Sequence, residues 1–107
     1  MRNTLIAPPE AQPATEPPMD MHTPPEIMAE VLIERMAVLR ARLAELTDAA
    51  STEEDRAVFD KLRWHIHALR LQFNPHDRLE VHAMDGRMDV YARAIGSGRA
   101  SAVAQAQ

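Results

Sequence analysis

Between Ser51 and Asn74, the apolar positions Phe59, Leu62, Ile66, Leu69 and Phe73 advance in alternating steps of three and four. That is the spacing of a helix buried along one seam. A second apolar set, Ala57, Trp64, Ala68 and Leu71, falls on nearly the opposite side of the same helix. A helix that is apolar on two faces needs two partners.

Upstream, Leu32, Met36, Leu39, Leu43 and Leu46 repeat the three-and-four pattern, and Met28 and Ala29 extend it backward. Thr23-Pro24-Pro25-Glu26 predicts where this helix starts, with Thr23 as the cap, Pro24 at the first helical position and Glu26 closing a capping box. Ser51-Thr52-Glu53-Glu54 predicts a second capping box a few residues after the first helix ends. So short a connection joins antiparallel neighbours, which sets the leucine seam of the first helix against the Phe59 to Phe73 seam of the second. The predicted fold is mainly α, an antiparallel, coiled-coil-like two-helix hairpin.

Asn74-Pro75 ends the second helix, because a residue that precedes proline disfavours the helical region. Beyond it, Leu79-Glu80-Val81-His82-Ala83 and Met88-Asp89-Val90-Tyr91-Ala92 both alternate around Asp85-Gly86, a dipeptide suited to a type I′ turn. With that turn, Val81 faces Val90 and Leu79 faces Ala92, both strands share one apolar surface, and His82 lies opposite Asp89. The expectation is therefore a short C-terminal β-hairpin. The competing element is a third helix, giving a three-helix bundle, with a stripe through Val81, Met84, Met88, Tyr91 and Ile95 and a stop at Gly96. Against it stand a mid-helix Gly86, which costs about 1 kcal/mol, and the outward placement of Leu79 and Val90.

Both ends are expected to be disordered. Residues 1–22 hold Pro8, Pro9, Pro13, Pro17 and Pro18 and almost nothing to bury, so they read as a proline-rich arm. Residues 96–107, opened by Gly96-Ser97-Gly98, read as a flexible tail. The domain is then 23–95, and a core of roughly 70 residues supplies only about 3–5 kcal/mol without staples, which favours help from a partner chain.

The chain has 107 residues with 12 Lys and Arg against 16 Asp and Glu, a formal charge of −4, and no cysteine. Thiolate metal sites, disulfides and cysteine nucleophiles are excluded. Leu5-Ile6-Ala7 is too short for a signal peptide and no stretch is long enough to span a membrane, so a cytoplasmic protein without membrane contact is expected. Among five histidines, His65 and His67 are two apart on a helix and point about 200° away from each other, while His22, His76 and His82 lie in separate segments. No metal site, cofactor or catalytic residue is expected, since no phosphate loop, nucleophile elbow or compact ligand spacing occurs.

Two surfaces remain as candidates. Arg56, Arg63, His67 and Arg70 form a row on the second helix suited to phosphates or an acidic surface. Arginines beside such a seam also pair with glutamates and cover the core with their stems. Trp64, with Leu71, Ala68 and Ala57, forms the second apolar face, and a lone tryptophan off the seam has the character of an interface anchor. Either the C-terminal element covers this face within one chain or a partner does. The expected function is a non-enzymatic protein-interaction module, an adaptor, assembly factor or inhibitor acting on a larger protein or on a second copy of itself. The alternative is a small nucleic-acid-associated regulator using the arginine row.

Overall fold

The computed structural model describes residues 23–107. The expected proline-rich arm at 1–22 lies outside them. Four helices follow in order: α1 (Pro25–Ala49), α2 (Glu53–Gln72), α3 (Arg78–Ser97) and α4 (Ala100–Ala106).

Each helix begins where the local chemistry supports it. α1 opens one residue later than the capping box places it. Pro24 is the cap and Pro25 takes the first turn, where a missing N–H is no loss, and the Pro24 carbonyl accepts from the amides of Ile27 and Met28. Glu26 consequently turns outward, and its Oε2 meets His76 Nδ1 at 2.9 Å. At α2 the cap is Thr52, whose Oγ1 accepts from the Asp55 amide at 3.1 Å, with three carboxylates in the first turn to complement the helix dipole. Asp77 caps α3 by accepting from the amides of Leu79 and Glu80, after an Asx turn in which Asn74 Oδ1 accepts from the His76 amide. α3 ends at Gly98, whose φ of 71° only glycine adopts readily.

The C-terminal β-hairpin is not present: no strand forms among the described residues, and 78–97 is helical throughout. The competing stripe of Val81, Met84, Met88, Tyr91 and Ile95 is what lies buried. Magnitudes decide it. Gly86 in a helix costs about 1 kcal/mol, whereas burying Met84 or Ile95, which the hairpin leaves off its apolar surface, contributes about 1.5–3 kcal/mol apiece, and an isolated two-stranded hairpin is marginal in water. The helix does turn Leu79 and Val90 outward, at 81% and 42% exposure. It also puts Asp85 and Asp89, poor helix formers, to use. Arg35 on α1 donates to Asp85 Oδ1 at 2.9 Å and to Asp89 Oδ1, one turn further along α3.

α1 lies at the junction of the bundle. Its seam of Met28, Ala29, Leu32, Met36, Leu39 and Leu43 is buried and Leu46 partly so, and Phe59, Leu62, Ile66 and Leu69 of α2 and Phe73 just beyond it are buried too. The two helices run antiparallel, with Leu46 and Phe59 near the turn and Arg40 level with Arg63. α3 runs parallel to α1, tied at one end by Arg78 to the Thr23 carbonyl and midway by Arg35.

Residues 96–107 do not behave as the expected tail. α3 runs on through Ser97, and α4 folds back between α2 and α3 with Val103 completely buried. No Cα of α2 comes within 8 Å of one in α3, so α4 fills that gap and makes one end of the bundle four helices thick.

Candidate functional site: the outer face of α2

Ala57, Trp64 and Leu71 recur every seven residues on α2, and Ala68 stands beside them. At 100° per residue this places them opposite the seam that faces α1. Neither α3 nor α4 covers them. Trp64 is 56% exposed and Leu71 65%, Ala57 is exposed and Ala68 half-buried. All four residues expected to share a face do so, and none of the other described helices lies over that face.

The surroundings of Trp64 are ordered by its neighbours. Asp60 Oδ1 accepts from Arg63 Nε at 3.1 Å and from Nη2 at 2.6 Å, and the held guanidinium sits over the indole with its carbon 5.3 Å from the ring centroid. His67 meets the same ring edge-on at 5.8 Å. Surface ion pairs contribute little to stability, so this one acts mainly by limiting the rotamers of Trp64 and Arg63. A side chain ordered in advance loses less entropy on binding. Arg40 of α1 reaches the same spot, where a 30 Å³ cavity lies between it, Arg63 and Trp64. On the other side an open depression of about 400 Å³ is bounded by Lys61, Trp64, His65 and Gln107.

The arginine row is largely engaged. Arg56 pairs with Glu53 at 2.9 Å and donates to the Ala50 carbonyl, Arg63 serves Asp60 and Trp64, and Arg70 lies exposed in the last turn of α2. His67 belongs to the tryptophan cluster rather than to a phosphate track. His65 leans the other way, edge-on to Tyr91 of α3 at 6.2 Å, so the two histidines diverge. Among the described residues no group of three or more His, Asp or Glu is placed to hold a metal ion, and no helix is long and apolar enough to cross a membrane.

Hydrogen bonding from His76 is the main reason the Glu26 carboxyl titrates below its ordinary value near 4.5. At the turn end of the bundle an open cleft of about 520 Å³ runs between Leu46, Asp55, Phe59 and Arg99. Its polar side chains are those of Ser51, Asp55, Arg99 and Ser101.

Two features escaped the sequence reading. The Arg35 bridge was hidden because Asp85 and Asp89 come together only on a helix, although their spacing of four is visible in the chain. Val103 was hidden in an alanine-rich run, where it is the only large aliphatic residue after Gly98.

No protein-family model, curated protein or solved structure matches this chain.

Proposed function

We propose that this protein is a non-enzymatic interaction module whose contact surface is the outer face of α2, with Trp64 and Leu71 as its anchors. One observation carries the reading. The largest side chain in the protein stands in water, on a face its own helices leave open, with its rotamer restrained by Arg63 and His67. Large aromatic anchors of this kind, flanked by arginine, supply most of the binding energy at protein interfaces. The module is read as an adaptor, assembly factor or inhibitor that works by occupying a surface.

The test is capture from source-cell extract with wild-type protein and a Trp64→Ala/Leu71→Ser variant. Both positions are exposed, so the helical circular dichroism of the two should match. A bound protein retained by the wild type and lost from the variant supports the reading. Equal retention by both, or binding that falls steeply with salt and follows added DNA or RNA, counts against it.

A further inference from the structure

We propose that the occupant of the α2 face is a second copy of this chain, the two α2 helices packing antiparallel about a twofold axis at Trp64. This rests on the reading of that face as a contact surface and names its partner.

Shape is the first argument. Ala57 and Leu71 stand seven residues to either side of Trp64, on a stripe that drifts only about 20° per heptad. In an antiparallel pair centred on Trp64, Leu71 of each helix lies over Ala57 of the other, large on small, twice. The indoles meet at the axis, and Ala68 leaves room beside them. A parallel pair sets leucine on leucine and leaves alanine facing alanine across a gap.

Charge is the second. Leaving out Asp55, which lies on the opposite side of the helix from Trp64, residues 53–62 carry Glu53, Glu54 and Asp60 against Arg56 and Lys61, a net −1, while 63–72 carry Arg63 and Arg70 with no carboxylate, a net +2 with histidine neutral. An antiparallel pair sets each half against its opposite and also opposes the helix dipoles. A parallel pair sets like on like. The resulting self-complementary patch is what a twofold interface requires.

The contact is one helix wide, smaller than a standard interface, and a weak association with a dissociation constant on the order of 10–100 µM is the expected outcome. Light scattering on the full chain over about three decades of concentration around that value should follow the mass from 12.0 kDa toward twice as much. Trp64→Ala should raise the dissociation constant at least about tenfold, with circular dichroism unchanged. Because the chain has no cysteine, Ala57→Cys and Leu71→Cys chains report the alignment directly. With a short bismaleimide, an equal mixture of the two should cross-link. Each alone should not, since like thiols then sit about 21 Å apart along the helix axis.

Cross-linking of Ala57→Cys alone as readily as the mixture would overturn the antiparallel arrangement. A wild-type chain that stays monomeric throughout removes self-association altogether. The capture experiment then decides the reading beneath it: loss of a bound protein in the Trp64→Ala/Leu71→Ser variant identifies a different partner chain, and unchanged capture removes the contact surface too.

Discussion

Single residues in this bundle carry tests of opposite sign. Gly86 and Gly96 sit inside α3, and a Cβ at either meets nothing within 4 Å, whereas Gly98 holds a left-handed conformation. Gly86→Ala should therefore stabilise the protein by about 1 kcal/mol, and Gly98→Ala should destabilise it by about as much. Chemical denaturation midpoints read both. Had Asp85-Gly86 been a hairpin turn, the first substitution would have been harmful, so its sign also reports on the fold. Glu26 gives a pH test. Its carboxyl titrates lower when folded than its ordinary value near 4.5, so its contribution is in place above that value and is lost as pH falls through the lowered one. Melting temperatures of wild type and Glu26→Gln should differ above pH 4.5 and converge in more acid solution. The residue-level signals in the chain were unequal. Asp77 caps as its side chain dictates, but α2 is capped by Thr52, one residue past the Ser51 that opens the expected box, and the paired prolines moved the α1 start off Thr23, because Pro25 fits the first turn as well as Pro24 does.

At the scale of elements, the seams of α1 and α2 were legible because steps of three and four have no reading as a strand. The stretch 78–97 was not, since its apolar residues satisfy both a period of two and a period of 3.6. What separates the two is outside the stretch: α1 has a flank that only a helix-long partner covers, and Arg35 needs carboxylates four apart. Arg35→Ala should cost on the order of 1 kcal/mol, discounted for partial exposure, and leave Asp85 and Asp89 repelling each other. A double-mutant cycle with Asp89→Asn measures the coupling. α4 was illegible for another reason. Seven residues rich in alanine form a helix only when packed, and its packing turns on Val103. Val103→Ala should cost about 1–2 kcal/mol, with hydrogen exchange rising along the facing sides of α2 and α3.

For the whole molecule, the helical architecture places one exposed tryptophan where its environment reports association. In dilute solution the emission of Trp64, the only tryptophan in the chain, should be that of a solvated indole. It should shift to shorter wavelength as concentration rises through the dimer range and stay put in Leu71→Ser. The Trp64 face itself was legible from the helical period alone, because a stripe at 57, 64 and 71 lies opposite the core in any helix. Whether the chain covers its own stripe depended on where the later helices go. They go to a flank of α1 and into the gap between α2 and α3, for reasons of charge and packing that span fifty residues.

That gap has a consequence for a chain still being made. Until the seven-residue peg beyond Gly98 arrives, the second and third helices form a clamp with its jaws apart. A nascent protein stalled before Ala100 should offer proteases the lining that the finished one keeps shut.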